Sequence, residues 1–246
     1  GVMPNLRRIY ERAVLPLTKN APGDYPLPAN PDVAYAGRGT RPSTRSAKIS
    51  GVPTACARAQ TMACIDAGHG GSVDRGRSTA YGGHGVGCSA EKEVNLKLAR
   101  GIRRQLGGSV LLTRDGDYNL SLGERISLAR QSEAPVFVSV HANNGPRERR
   151  GTEVWVYGSS SIAPSSASQA LALAVSDALA HCGLSAEVHS GDLAVLHPAH
   201  HRPGTAACLV EADYLSNPQG RLRDAREVET IAGAVARGVR RYMARN

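Results

Sequence analysis

The chain has 246 residues, 41% of them hydrophobic and 21% charged, which allows one well-buried domain with an appendage and excludes wholesale disorder. Aromatic residues reach only 4%, so a core must come from Val, Leu, Ile and Ala, and no apolar run approaches the roughly 18 residues of a membrane span. Thirty Lys and Arg against 21 Asp and Glu leave a net charge of +9, which favours a polyanionic partner without choosing among nucleic acid, anionic lipid and bacterial cell wall.

Residues 1–61 hold eight of the fourteen prolines and nine Lys or Arg against three acidic residues. Proline blocks helix interiors and central strands, so this stretch is expected to be an extended, Pro-rich, basic N-terminal arm or linker, set apart from a domain over residues 62–246. No aromatic residue interleaves with its basic stretch Gly37 to Ser50, which argues against a nucleic-acid partner. No apolar leader core opens the chain, so a leader is expected to have been removed or never to have existed. Five cysteines (Cys56, Cys64, Cys88, Cys182, Cys208) without a CxxC pair exclude zinc-finger and thioredoxin motifs. Cys64 and Cys208 lie in apolar runs and are expected to be buried small hydrophobes.

From Thr61 strands and helices alternate. Met62 to Ile65 reads as a strand running into Asp66-Ala67-Gly68-His69-Gly70-Gly71, followed by a glycine-rich loop to Cys88. Val94, Leu98, Ile102 and Leu106 recur at four-residue spacing, an amphipathic helix closed by Gly107-Gly108. Val110 to Thr113 is a strand, and Ser121 with Glu124 is a capping box that opens a helix to about Gln131. Strands are expected over Pro135 to His141, Thr152 to Tyr157, Leu193 to Leu196 and Ala206 to Glu211. Gln169 to His181 is expected to be helical, and one or two closing helices follow Asn217. The pattern predicts an α/β fold whose mixed, mostly parallel central sheet is flanked by helices.

Three residues able to do chemistry end three of these strands: His69, His141 and Glu211. A fourth, Glu91, opens the first helix. Ligands of open α/β sheets bind outside the carboxyl ends of the strands, so the four can converge there. Two imidazoles and one carboxylate form the open three-ligand set of a catalytic zinc, and a further carboxylate would supply a general base. Each residue alone also has an ordinary account. A strand-end histidine is commonly a hydrogen-bonded loop residue, Glu91 suits a helix N-terminus, and Glu211 could be the buried partner of Arg114. Pattern alone leaves both accounts open.

Six motifs, in order, bring a resemblance. They are Asp66 to Gly71, Glu91-Lys92-Glu93-Val94-Asn95-Leu96, Leu112-Thr113-Arg114-Asp115, Ser121-Leu122 with Glu124-Arg125, Ser139-Val140-His141-Ala142-Asn143, and Leu209-Val210-Glu211 through Ser216-Asn217-Pro218. Together they resemble the zinc-dependent N-acetylmuramoyl-L-alanine amidases of type 3, which cleave peptidoglycan. The likeness is collinear from about residue 62 onward and leaves residues 1–61 uncovered.

The resemblance implies one Zn2+ per chain with His69, Glu91 and His141 as its ligands and Glu211 as the catalytic carboxylate. Glu93 then falls on a variable acidic position and is expected to be solvated. The implied reaction is hydrolysis of the amide between N-acetylmuramic acid and L-alanine, with Glu211 moving the proton and with Asp66 or Asn143 as candidates to orient the imidazoles. The alternatives are a zinc peptidase acting on the stem or cross-link peptides and a non-catalytic wall-binding module. Peptidoglycan is the expected partner, with a delivery or regulatory partner for the basic arm. The protein is expected to be an exported monomer, in the periplasm or at the extracellular wall.

The chain departs from the family pattern at Asp213-Tyr214, where Gly-Phe is usual, and in a longer loop carrying Tyr81, His84 and Cys88. His84, His197, His200 and His201 are expected to be solvated loop residues. The segment Gly158 to Ser168 is too short and too poor in helix formers to place a blocking helix over the zinc.

Overall fold

The computed structural model describes residues 60–85 and 90–245. The arm, apart from its last two residues, lies outside the described residues, as do Cys56 and Cys88. The elements in chain order are β1 (Ala63–Ala67), α1 (Glu91–Leu106), β2 (Val110–Leu112), α2 (Leu122–Ser132), β3 (Val136–Asn143), β4 (Thr152–Tyr157), α3 (Ser166–Ala180), β5 (Ala186–Gly191), β6 (Ala206–Tyr214) and α4 (Ala225–Met243). Six strands form one sheet in the order β2-β1-β3-β6-β4-β5. Every neighbouring pair is parallel except β4 with β6. The mixed, mostly parallel sheet is the expected one.

Strand alternation divides the core in two. Val136, Val138 and Val140 of β3 join Leu98 and Ile102 of α1, Leu171 and Val175 of α3, and Ile231 and Val235 of α4 on one face. Phe137 joins Cys64, Leu209 and the Ile126–Ala129 side of α2 on the other. Burial on both faces explains why β1, β3 and β6 read as continuous apolar runs rather than alternating ones. Cys64 and Cys208 are buried free thiols, and burial pushes the Cys208 thiol up to about 12.

The helix ends follow local chemistry. Ser121 Oγ accepts from the Glu124 amide, and the Glu124 carboxylate accepts from the Ser121 amide, the reciprocal box read from the sequence. Gly107 ends α1 at φ 65°, a left-handed turn that glycine takes without a Cβ clash.

Three elements differ from expectation. Leu193 to Leu196 is no strand, because Ala194–Leu196 is a 3-10 turn. Leu193, Val195 and Leu196 are buried all the same, since so short an apolar run can pack equally well as a turn. Strand β5 was not foreseen; its sequence Ala-Glu-Val-His-Ser-Gly is polar and half-exposed because it lies at the sheet edge. Helix α3 begins at Ser166, capped by Ser165, three residues before Gln169. The link from β4 is therefore only residues 158–165, without a helix.

Beneath the carboxyl end of β1 lies a buried polar knot. The carboxylate of Asp66, 1% exposed, accepts from Thr113 Oγ1 at 2.6 Å, Ser139 Oγ at 2.7 Å and Arg125 Nη1 at 2.8 Å. Arg125 also donates to the carbonyls of Ala67, His69 and Leu120, so one side chain from α2 holds the turn after β1. Burial pushes the Asp66 carboxyl up, but the Arg125 charge and the three donors reverse that and hold it below its ordinary value.

Asp66→Asn is therefore expected to cost about 3–5 kcal/mol at pH 7, because it leaves Arg125 buried without its counter-charge. The sign with pH follows from the depressed folded value. The contribution is complete above about pH 4, where the unfolded carboxylate is ionised, and is lost as pH falls through the lower folded value. Denaturant unfolding of both proteins should show the gap narrowing below about pH 4; a gap that widens on acidification would contradict the pairing.

Candidate metal centre

The carboxyl ends of β1 and β3 and the first residue of α1 meet at one point. His69, Glu91 and His141 each bring a ligand atom within 4.8 Å of the other two, the one such group of His, Cys, Asp and Glu among the described residues. Glu91 Oε1 lies 3.2 Å from His69 Nε2 and 2.9 Å from His141 Nδ1. The two imidazole rings are edge-on, with centroids 5.0 Å apart. Their side chains are 17% and 16% exposed against 8% for Glu91, so the rings reach slightly closer to solvent than the carboxylate does.

The surrounding backbone is shaped to this cluster. His69 sits at φ 61°, a left-handed conformation uncommon for a non-glycine residue and one that clusters at functional sites. A Cβ on Gly68 would lie 2.2 Å from the His141 ring, so only glycine lets the imidazole lie against β1. A Cβ on Gly82 would lie 2.4 Å from Glu91 Oε2 and 2.6 Å from His69 Cδ2, and Gly82 itself has φ +66°.

The donor set calls for a cation. His69 donates its Nδ1–H to the Thr79 carbonyl at 2.8 Å. The neutral ring then turns a lone pair at Nε2 toward a carboxylate oxygen 3.2 Å away, an arrangement that is repulsive unless a proton or a metal ion lies between them. Glu91 Oε2 accepts from the Gly83 amide at 2.7 Å, and Oε1 receives the Asn95 side-chain amide at 3.3 Å and the Ala142 amide at 3.3 Å. Burial pushes the Glu91 carboxyl up, but the His69 charge and the hydrogen bonds from both histidines hold it well below its ordinary value. Burial also pushes both imidazoles down. At His69 the Glu91 carboxylate reverses this and leaves the ring above its ordinary value, whereas His141 stays below. The residues present thus fit a divalent ion: two nitrogens and one ionised oxygen, backed by hydrogen bonds, with an open side.

Glu211 stands next to this cluster, in register with His141 across the parallel β3–β6 pair, and is 4% exposed. On its other side it faces Glu153 of β4. That second carboxylate is occupied, accepting from Tyr214 Oη at 2.7 Å and Trp155 Nε1 at 3.0 Å. Burial and Glu153 push proton loss from the Tyr214 hydroxyl up to about 12. Asp213, its neighbour, accepts from the amides of Gly151 and Arg221 and ties down both flanking loops.

Several side chains fall elsewhere than expected. Neither Asp66 nor Asn143 is hydrogen-bonded to an imidazole: Asp66 is held by Arg125, and Asn143 Oδ1 accepts from the Asn144 amide. Thr79, Gly83 and Asn95 do the orienting instead. Only Asn95 left a trace in the sequence, four residues after Glu91 on the same helix face. Arg114 bonds the carbonyls of Ala67, Gly68, Lys92 and Gly116 rather than Glu211. Glu93 is exposed as expected, and so is His84, stacked on Tyr81. His201 is not solvated: it is 5% exposed, packs against Phe137 and bonds the Val195 carbonyl. His197 and His200 are half-buried, their rings tilted against each other with centroids 4.9 Å apart.

A His-Glu-His cluster at the carboxyl edge of an open α/β sheet, with a further carboxylate on the adjacent strand, is the arrangement of a metal-assisted hydrolase. Residues 63–241 match the family described as N-acetylmuramoyl-L-alanine amidase, and the chain belongs to that family. The catalytic domain of CwlV, an N-acetylmuramoyl-L-alanine amidase from Bacillus (Paenibacillus) polymyxa var. colistinus, is 30% identical, with a TM-score of 0.63 over 75% of this chain and 98% of that one. The amidase AmiC2 of Nostoc punctiforme is 26% identical, with a TM-score of 0.64 over 75% of this chain and 98% of that chain. The probable amidase AmiB of Haemophilus influenzae is 35% identical over 97 residues, 37% of this chain and 21% of that protein. The chain spans less than half the length of the curated relatives it matches first.

Asn95→Ala removes a hydrogen bond to Glu91 Oε1 and another to the Gly68 carbonyl, beside which the His141 ring lies. It is expected to weaken binding of a divalent ion about 10- to 100-fold, as losses of groups that orient ligands do. Calorimetric titration of both proteins with zinc would measure it, and unchanged affinity would remove Asn95 from the support of the cluster.

Proposed function

We propose that the chain hydrolyses the amide joining the lactyl group of N-acetylmuramic acid to L-alanine in bacterial peptidoglycan. The observation that carries this is the convergence of His69, Glu91 and His141 within 4.8 Å in a chain of the amidase family. In this reading residues 62–246 are the catalytic domain and residues 1–61 a basic arm. The two imidazoles and the Glu91 carboxylate would hold one zinc ion per chain, which would supply Lewis-acid polarisation of the carbonyl and acidification of water.

The chain's own residues do the rest. Thr79 and Gly83 fix the ring of His69 and the carboxylate of Glu91, so the ligand geometry is set before substrate arrives. Glu211 takes a proton from the attacking water and delivers it to the departing alanine nitrogen. Its place beside His141 in the strand register supports this role, as does the engagement of Glu153 by Tyr214 and Trp155, which leaves that carboxylate out of the proton path.

Peptidoglycan lies outside the cytoplasm, so the protein acts after export, in the periplasm or at the wall, as a monomer. No helix of the described residues is long and apolar enough to cross a membrane. The six excess positive charges of residues 1–61 suit the anionic wall or a delivery partner.

Three measurements test the proposal. Metal analysis of the purified protein should find one zinc per chain, lost in His69→Ala and in His141→Ala. Glu91→Ala should lose it while Glu93→Ala keeps it; the reverse would overturn the ligand set. Glu211→Gln should retain zinc and lose at least about a hundredfold in turnover. The products, read by mass spectrometry of digested peptidoglycan, should be a free lactyl carboxylate and a free L-alanine amine. Cleavage within the stem would instead indicate a peptidase, and no cleavage with retained wall binding a binding module.

A further inference from the structure

A cavity of about 130 Å³ opens beside His69 and His141, on the sheet face covered by α2. Its floor is apolar, built from Leu122, Leu193, Val195 and Leu209, and its polar wall carries two guanidinium groups, Arg125 and Arg77. Arg125 is fully engaged by the Asp66 carboxylate, by Asn119 and by three carbonyls.

Arg77 is not. Its Nη1 is buried and has no hydrogen-bond partner, and Arg77 forms no ion pair among the described residues. The carboxylate that lines the cavity with it, and those nearest the lining residues in the chain, have other partners. Asp66 is held by Arg125, Asp74 accepts from the Ala80 amide, and Glu124 pairs with Arg75 and with the Ser121 amide. A buried cationic donor without an acceptor is costly, and a planar guanidinium matches a carboxylate with two parallel hydrogen bonds. The cavity therefore combines an Asp66–Arg125 pair that neutralises itself, the uncompensated Arg77 guanidinium, an apolar floor and the two imidazoles. It suits a carboxylate carried on a small, partly aliphatic residue beside the imidazoles.

We propose that Arg77 is a specificity-determining residue that binds a free carboxylate of the stem peptide on the leaving side of the cleaved amide. This rests on the amidase reading above and adds the substrate class to it. In a stem that begins L-alanyl-γ-D-glutamate, the α-carboxylate of the glutamate is the group in reach. Amidation of that carboxylate removes the charge and one acceptor.

The test compares N-acetylmuramoyl-L-alanyl-γ-D-glutamyl-L-lysine amide with its isoglutaminyl counterpart, so that the γ-carboxyl and the C-terminus are amides in both and only the glutamate α-carboxylate differs. Binding is measured by calorimetry on zinc-loaded Glu211→Gln protein, in which turnover is suppressed. The free acid should bind about 10- to 100-fold more tightly, the usual range for a hydrogen-bonded charge. Adding Arg77→Gln should abolish the difference, Arg77→Lys should keep part of it, and Arg77→Glu should reverse it. Equal affinity for the two ligands, binding of neither, or a preference that survives Arg77→Gln overturns the proposal. The comparison between ligands needs no Arg77 variant, so a misfolded variant cannot hide the answer. Turnover of the same two compounds by the unaltered chain is followed in parallel. Release of a lactyl carboxylate from neither compound would refute the amidase reading, while the binding comparison still decides the role of Arg77.

Discussion

The structure turns on one buried carboxylate. Glu91 is the first residue of α1, almost wholly removed from water, and two imidazoles, two backbone amides and a side-chain amide point at its two oxygens. An ionised group so placed is stable only with opposite charge beside it. That constraint dictates much around it. The helix must start where its N-terminal dipole favours the charge, Gly82 must lack a side chain, and His69 must adopt a left-handed backbone. With its Nδ1–H on Thr79, His69 needs a proton or a metal ion between its Nε2 and the carboxylate.

A second buried charge pair carries the first. Asp66 and Arg125 lie one turn of chain below the cluster, and Arg125 reaches from α2 to the carbonyls of Ala67 and His69. The loop that presents His69 is thereby bonded to α2, while Asp66 bonds β1 to β2 through Thr113 and to β3 through Ser139. The His-Glu-His cluster is thus held on rigid elements rather than on its loop alone. The chain's own departures from the family pattern act nearby in the same manner. Tyr214 supplies a hydroxyl that occupies Glu153, and Asp213 ties two loops through their amides.

Most of the architecture was legible because strands buried on both faces and helices with one apolar face leave plain periodicities. What escaped was governed by position in the sheet. β5 lies at the edge with polar side chains on a half-exposed strand, so its pattern carried no signal. Leu193 to Leu196 is apolar because it caps the smaller core cluster, a demand that a 3-10 turn meets as well as a strand. His201 read as a loop residue, yet it is packed against Phe137 and bonded to Val195, contacts made by residues far apart in the chain or turned back upon it.

By itself the sequence determined the strands and helices other than β5 and the Leu193 to Leu196 turn, the Ser121–Glu124 cap, the family, and the candidates His69, Glu91, His141 and Glu211, because these rest on residue type and local spacing. Only the tertiary structure decided which groups serve the cluster. Thr79, Gly83 and Asn95 orient it, whereas Asp66 is taken by Arg125 and Arg114 by carbonyls, and Arg77 is left with a buried donor beside the imidazoles. Hydrogen bonds and charge pairs of this kind depend on distances between atoms that the chain brings together from separate elements, and no local spacing encodes those distances.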